Sequence, residues 1–244
     1  QIKNERLCSA ALQGNLQKIK LLIQAGAQAS ASRTRHALNL AISNGHIDIA
    51  ILLIEAGTDI ETQNQHRQTA LMIAALKGYK SIVEILIKAG AKVNIIQQWG
   101  PTALICAVQG NHIEIAKLLI QKGAEVNIPS GDVQPLILAT QNENKEMVLL
   151  LLDSGADINI ANFRGLTALF FSFHNKNQPI IELLLERGAE SNFSKQPVSL
   201  LADDKMKEKE ILKEAIINCA SYGYFSIVKL LLNRNINPNI QSSS

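Results

Sequence analysis

The side chains that could carry out chemistry are scattered along this sequence and form no recognised catalytic motif. His112 is followed by Ile-Glu-Ile-Ala, so it supplies only one of the two histidines that the zinc-binding HExxH motif needs. The phosphate-binding GxxxxGKS/T motif and the GxSxG and GxGxxG motifs are absent as well. Cys8, Cys106 and Cys219 are about a hundred residues apart, which fits neither a metal site nor a disulfide framework. We therefore predict no catalytic residue, no metal ligand and no cofactor, and we expect all three cysteines to be buried, unreactive thiols.

Composition limits the classes of protein to consider. Of the 244 residues, 47% are hydrophobic and 18% are charged, which is the composition of a globular protein. The net charge of +3 is too small to indicate a nucleic-acid partner or a membrane surface, and no apolar run approaches the roughly 18 residues that a membrane-spanning helix needs. The dispersed cysteines and the absence of a signal-peptide pattern favour the cytoplasm. Because the chain begins at Gln1, we expect it to be a fragment of a longer protein.

The elements that position these side chains repeat along the chain. A Leu- and Ile-rich run precedes a glycine six times, with spacings of 31, 33, 33, 32 and 33 residues, at Gly26, Gly57, Gly90, Gly123, Gly155 and Gly188. Residues 69–94 read TALMIAALKGYKSIVEILIKAGAKVN, and residues 102–127 read TALICAVQGNHIEIAKLLIQKGAEVN. The apolar spacing predicts two short helices in each unit, with Gly78 ending the first helix and Gly90 the second. About ten polar residues then lead to the next unit and predict a β-turn or hairpin; we call this segment a finger.

These units resemble the ankyrin repeat, which has a period of about 33 residues and the signature T-P-L-H-x-A. The resemblance covers nearly the whole chain and implies an all-α solenoid of stacked helix-turn-helix units with β-turn or hairpin fingers. The signature is imperfect, because Ala mostly replaces its Pro and Gln134 replaces its Thr in the fifth unit. Such changes weaken helix capping by up to about 1 kcal/mol each without altering the hydrophobic pattern.

The alignment divides the chain into seven repeats and one insertion. Six repeats occupy about residues 1–30, 31–63, 64–96, 97–128, 129–161 and 162–194. Residues 195–213 form an insertion with a helical extension, and residues 214–241 form the seventh repeat. The Lys/Glu run in the insertion is read either as a solvated helix face or as a second contact surface. The last repeat keeps a fully apolar second helix, which favours continuation of the natural protein beyond Ser244.

The resemblance also implies where a partner would bind, because the family uses the finger tips and the exposed ends of the first helices. The candidate contact residues are Arg33, Arg35, His66, Leu76, Lys77, Trp99, Gln109, Phe163, Arg164 and His174. Trp and Arg often dominate interface energies, so Trp99 and Arg164 are the main candidates. The alternatives are that Trp99 folds back over the neighbouring finger and that Arg33 and Arg35 are solvated loop residues. We expect Phe170, Phe171 and Phe173 to lie in the core, with Phe171 partly exposed.

The favoured function is a non-catalytic protein–protein interaction module that binds a partner protein or peptide through the concave face and the finger tips. The alternative is the substrate-targeting segment of a larger enzyme, or a secreted bacterial effector that acts in the host cytosol. Nucleic-acid binding would need a basic face with interleaved aromatic residues and is not expected. A monomer without membrane insertion is expected.

Overall fold

The computed structural model describes residues 2–27, 35–95, 101–128, 133–189 and 227–229, except for the side chains of residues 2–4 and 35–36. The chain divides into two compact units, residues 1–125 and residues 126–244. Each unit is built from pairs of antiparallel helices, as the repeats predict. The all-α fold of helix-turn-helix units is confirmed.

Within the described residues each of six repeats contributes a first helix of 7–11 residues and a second helix of nine. The first helices are α1 (Ile2–Leu12), α3 (Arg35–Ser43), α5 (Ala70–Lys77), α7 (Ala103–Gln109), α9 (Pro135–Gln141) and α11 (Ala168–His174). The second helices are α2 (Leu16–Gln24), α4 (Ile47–Glu55), α6 (Lys80–Lys88), α8 (Ile113–Gln121), α10 (Lys145–Asp153) and α12 (Gln178–Glu186). The first four pairs belong to the first unit, and the last two pairs belong to the second.

Helix starts follow from capping side chains. The hydroxyls of Thr69, Thr102 and Thr167 each accept the backbone N–H three residues later, at the start of α5, α7 and α11. Asn144 and Asn177 cap α10 and α12 in the same way. A side-chain oxygen satisfies one of the N–H groups that have no partner within the helix, so these residues fix where each helix begins.

Helix ends follow from glycine. Gly78 caps α5 with φ at 79°, in the left-handed region that glycine adopts without strain. After α6, the N–H of Ala91 donates to Leu86 O at 2.9 Å and the N–H of Gly90 donates to Ile87 O at 3.0 Å. This pair of bonds is the Schellman motif, and both predicted helix ends are confirmed.

The core of each unit lies between its helix pairs. In the third repeat Leu71 and Ala74 from α5 pack with Ile82 and Leu86 from α6, and each is 2% exposed or less. The alanines allow close approach of neighbouring first helices, as their spacing predicts. The equivalent positions are apolar in the other described repeats except for Lys18 in the first repeat and the buried Ser172 in the sixth, so the core of each unit is mainly hydrophobic.

Polar side chains at the bases of the fingers join successive repeats. Asn94 donates from Nδ2 to Gly123 O at 2.7 Å and accepts the N–H of Glu125 at 2.9 Å. Asn127 makes the equivalent pair in the second unit, with Gly155 O at 3.0 Å and the N–H of Asp157 at 2.8 Å. Glu61 stands at the equivalent position one repeat earlier and accepts the N–H of Lys92 at 2.6 Å. These side chains hold each finger base against the next repeat.

The predicted insertion at 195–213 lies outside the described residues, as does most of the predicted seventh repeat. Residues 227–229 are helical, and Ile227 is buried.

Candidate functional site

Two described finger tips share one hairpin geometry. In the first unit Asn64 exchanges hydrogen bonds with Gln68: its N–H donates to Gln68 O at 2.9 Å and its Oδ1 accepts the N–H of Gln68 at 3.0 Å. Asn162 and Leu166 form the same pair in the second unit, both at 3.0 Å. Each turn is completed by a residue in the left-handed region. This residue is Arg67, with φ of 58°, in the first unit and Gly165, with φ of 76°, in the second. These two fingers are therefore tight hairpins that present residues 65–67 and residues 163–164 to solvent.

The finger tip of the first unit forms one wall of a groove whose other wall is α3. The groove has a volume of about 470 Å³ and is lined by Asn39, Leu40, Ser43, Gln63, Asn64, Gln65 and His66. Apart from Leu40, this lining consists of amides, a hydroxyl and an imidazole. Such groups donate and accept hydrogen bonds without carrying a carboxylate.

The finger tip of the second unit presents an aromatic ring beside a cation. Phe163 is 62% exposed, and Cζ of Arg164 lies 5.2 Å from the centre of its ring. A cation over an aromatic face contributes about 0.5–1 kcal/mol at an exposed site, which favours one arrangement of the two side chains. The two candidate residues are therefore brought together, with the ring still accessible.

Helix α11 carries an aromatic cluster. Phe170 packs edge-on against Phe171 at 5.5 Å between centroids and stacks on the exposed His174 at 6.3 Å. Phe170, Phe171 and Phe173 are all half-buried. The expectation that Phe170 and Phe173 are core residues is wrong, because Ser172 is the side chain of this turn that is fully buried.

Three further candidates lie at the ends of first helices. Lys77 and Gln109 are exposed as the last residues of α5 and α7. Leu76 is half-buried, and its carbonyl accepts Nε2 of His112 at 3.1 Å. The backbone of Leu76 thus has a structural role, and only part of its side chain is available to a partner.

The side chains of the remaining three candidates lie outside the described set. Trp99 and Arg33 lie outside the described residues. Arg35 is the first residue of α3, although the alignment put it in the preceding finger, and its side chain lies outside the described set. Helix α3 therefore begins before the position at which Thr residues cap α5 and α7.

The sequence interpretation did not single out three polar residues that shape the fingers. Asn39 is 3% exposed and donates from Nδ2 to Thr62 O at 3.1 Å, which ties α3 to the following finger. Asn64 and Asn162 both stand five residues before a capping Thr, so their repeated position was a readable signal for the hairpin. For Asn39 the signal was an amide at a position that is apolar in most repeats.

The nucleophilic and metal-binding side chains are not arranged for catalysis within the described residues. Burial raises the pKa of the Cys106 thiol to about 12, which disfavours the reactive thiolate. Cys8 is half-buried rather than buried as expected, and its pKa is raised by the same cause, against a smaller lowering by a backbone hydrogen bond. Cys219 lies outside the described residues. No group of three or more His, Cys, Asp or Glu side chains in the described ranges could hold a metal ion.

His46 and His112 have a structural role at the turn between the two helices of their repeats. Nε2 of His46 lies 3.2 Å from Leu12 O, just as Nε2 of His112 lies near Leu76 O in the later repeat. Each imidazole thereby joins its own repeat to the preceding one. In the part of the chain that the structure describes, no helix is long and apolar enough to span a bilayer.

Comparisons with known proteins identify the family. The family model described as ankyrin repeats in three copies matches residues 7–97, 71–162 and 131–195, and the single ankyrin repeat model matches residues 215–243. The chain belongs to the ankyrin repeat family. No curated protein sequence matches it.

Solved structures give the same result. The ankyrin repeat domain of Bcl-3, a member of the IkappaB protein family, is 28% identical over 77% of this chain and 88% of its own, with a TM-score of 0.64. An ankyrin repeat domain from Acinetobacter baumannii AYE is 29% identical over 75% of this chain and 98% of its own, with a TM-score of 0.68. The ankyrin repeat domain of human ASB11 is 26% identical over 75% of this chain and 84% of its own, with a TM-score of 0.66. Ankyrin repeat domains are generally non-catalytic modules for binding other proteins, and this is the class that the fold defines.

Proposed function

We propose that this chain binds a partner protein or peptide through its finger tips and the exposed ends of its first helices. The observation that carries the proposal is the finger tip of the second unit, where Phe163 is 62% exposed beside Arg164. Large aromatic side chains are usually buried, and an exposed one on a rigid hairpin is typical of a binding anchor. The groove beside His66 supports the same role for the first unit.

The three dispersed cysteines, of which Cys106 is a buried thiol, favour action in a reducing compartment, so we propose that this binding takes place in the cytoplasm. Trp99 remains a predicted contact residue. The proposal assigns no reaction to the chain.

A capture experiment with a matched control tests the proposed surface. The full chain, the surface variant His66→Ala/Phe163→Ala and the control variant Leu21→Ala/Gln121→Ala are each immobilised and exposed to cell lysate. Leu21 lies on α2 and is 62% exposed, the same fraction as Phe163, so the control removes an equally exposed apolar side chain from a second helix. Circular dichroism verifies that all three proteins are folded.

We expect at least one protein to be retained by the wild type and the control and lost by the surface variant, with an affinity change of about tenfold or more for a binding anchor. Retention of the same proteins by all three forms would show that the finger tips are not the binding surface.

A further inference from the structure

In the second to sixth repeats the acidic residues of the described helices lie on the second helix, whereas in the first repeat α1 carries Glu5 and α2 carries no acid. The first helices α3, α5, α7, α9 and α11 contain no Asp or Glu, and their exposed charged or titratable side chains include Lys77 and His174. The second helices carry the acids: Asp48, Glu55, Glu84, Glu114, Glu146, Asp153, Glu182 and Glu186. The net charge of +3 does not reveal this uneven distribution of acidic residues.

Like these first helices, the described finger tips contain no acidic residues. Residues 63–68 contain His66 and Arg67, and residues 162–167 contain Arg164; neither segment contains an acid, and all three side chains are exposed. The ion pairs Lys80–Glu114 at 3.3 Å and Arg187–Asp153 at 2.7 Å join second-helix segments of neighbouring repeats and do not include Arg67 or Arg164. In each unit, therefore, the surface proposed for binding carries positive charge.

Four carboxylates of the two units make hydrogen bonds with other groups. Glu61, at the base of the first described finger, accepts the N–H of Lys92 at 2.6 Å, and Asp59 accepts the N–H of Glu61 at 3.1 Å. In the second unit Glu143 accepts Nδ2 of Asn177 at 3.3 Å, and Asp157 accepts the N–H of Asn159 at 2.9 Å. These carboxylates make hydrogen bonds within the fold. In the sequence they lie before or after the finger tips that carry Arg67 and Arg164.

The lining of the groove indicates the form of the partner. Side-chain amides such as Gln63 and Gln65 can pair with the N–H and C=O groups of an extended backbone, as a peptide segment would present them. Arg67 directly follows this lining along the chain, and Arg guanidinium groups bind carboxylates with two parallel hydrogen bonds. An extended backbone with acidic side chains complements both features.

We infer that the partner presents an extended, acidic segment of polypeptide to this surface, its carboxylates facing Arg67 and Lys77 in the first unit or Arg164 in the second. This inference rests on the proposed function and specifies the chemistry of the partner. Charge complementarity of this kind steers association and sets specificity, and its effect falls as salt rises.

Selection from a library of random 12-residue peptides tests the inference, with the full chain as bait. The charge-reversal variant is Arg67→Glu/Lys77→Glu/Arg164→Glu. The matched control, Lys20→Glu/Lys117→Glu/Lys145→Glu, changes the net charge by the same amount at exposed sites on second helices. Fluorescence anisotropy then measures the binding of the selected peptides to all three proteins.

The wild type and the control should both select peptides enriched in Asp and Glu over the starting library. Affinity for those peptides should fall about tenfold or more in the charge-reversal variant, should stay within about twofold in the control, and should weaken as salt rises from about 0.05 M to about 0.5 M.

Selection of neutral or basic peptides, equal binding by all three proteins, or no enrichment of any peptide would each overturn the inference. So would tighter binding of a single-stranded oligouridylate probe that the charge reversal abolishes, since the cations would then serve a nucleic acid. The capture experiment tests the binding surface independently of these outcomes. If His66→Ala/Phe163→Ala still loses a partner there, the surface is correct and only the acidic character of the partner is wrong.

Discussion

The rings of His46, Tyr79 and His112 each lie against the glycine that follows the first helix of the preceding repeat. A methyl group on Gly14 would lie 2.5 Å from Cε1 of His46, and one on Gly45 would lie 3.0 Å from the hydroxyl oxygen of Tyr79. Where later repeats have Asn144 and Asn177 in place of a ring, Asn111 and Glu143 occupy the glycine position with φ of 61° and 56°. The glycines are thus matched to the rings as well as to the backbone.

Substitution of Gly78 distinguishes the requirement set by the left-handed backbone from the requirement set by the neighbouring ring. The backbone of Gly78 has φ of 79°, and an added methyl would lie 2.5 Å from Cε1 of His112. Gly57 has φ of 76° with nothing within 4 Å of such a methyl. We expect Gly57→Ala to lower the free energy of unfolding by about 1–2 kcal/mol from backbone strain. Gly78→Ala should lower it by a further 1 kcal/mol or so from the clash, as measured by urea denaturation.

The His112→Ala background provides the control for this prediction. Without the ring, Gly78→Ala should lower the free energy of unfolding only as much as Gly57→Ala does, so the double-mutant cycle should show a coupling of about 1 kcal/mol. Equal effects of Gly78→Ala with and without His112 would show that the ring imposes no requirement at this position.

The thiols differ in burial, and this difference predicts their reactivity. Burial raises the pKa of Cys106 from 9.0 to about 12, so its thiolate is scarce at pH 8. We expect iodoacetamide to modify half-buried Cys8 much faster than Cys106, as peptide mass spectrometry would measure. Modification of Cys106 at the rate of Cys8 in the folded protein would contradict the burial of α7.

The same shift predicts the sign of a pH effect. Unfolded Cys106 loses its proton near pH 9.0, whereas the folded protein keeps it until about pH 12. Between these values the folded state binds more protons, so its stability falls as the pH rises. Cys106→Ala should reduce this fall.

At the scale of the helix, Gln134 shows how a departure from the repeat signature can be compensated. Its side chain does not cap α9. Instead Nε2 donates to Ile128 O at 2.9 Å and Oε1 accepts the N–H of Ile128 at 3.2 Å. Both residues are 4% exposed, so Gln134 satisfies two buried backbone groups. The sequence interpretation that Gln134 merely weakens the cap is therefore incomplete.

We expect Gln134→Thr, which restores the family signature, to destabilise the protein. A capping hydroxyl would contribute about 1 kcal/mol, whereas the two unpaired groups of Ile128 would cost about 1–3 kcal/mol each. Thermal unfolding should therefore show a lower Tm. Thr102→Ala serves as the reference for a lost cap, since Thr102 accepts the N–H of Ile105 at 3.2 Å. A higher Tm for Gln134→Thr would show that the cap outweighs both bonds.

Helices were predictable because their signals are local. The Leu and Ala spacing around Leu71 and the glycine at 78 determine one helix and its end within ten residues of sequence. The hydrogen-bond partners of Asn39 and Gln134 were not predictable, because the backbone groups that they bind lie in fingers and are not part of any helical pattern. The exposed Phe163 was predictable from its place in a finger. The half-burial of Phe170 and Phe173 was not, since it depends on which side chains surround α11.

At the scale of the molecule, the repeats are joined by contacts between neighbours. The finger-base bonds of Glu61 and Asn94 each reach one repeat onward, and so does the Lys80–Glu114 ion pair. In such an array stability is the sum of repeat and nearest-neighbour terms, and at least three repeats are needed for a stable fold. The first unit holds four helix pairs, α1 to α8, within residues 1–125.

We therefore expect residues 1–125 to fold as a separate protein. Their circular dichroism should be helical, they should unfold cooperatively in urea, and Cys106 should stay protected from iodoacetamide as in the full chain. A second fragment, residues 1–110, lacks α8 and with it the buried Ile115, Ala116 and Leu119. Without that packing surface α7 should lose its protection, so Cys106 should react rapidly in the shorter fragment while α1 to α6 remain helical. Rapid reaction of Cys106 in residues 1–125 would mean that the fourth repeat depends on residues beyond this unit, and the nearest-neighbour description would then fail at its boundary.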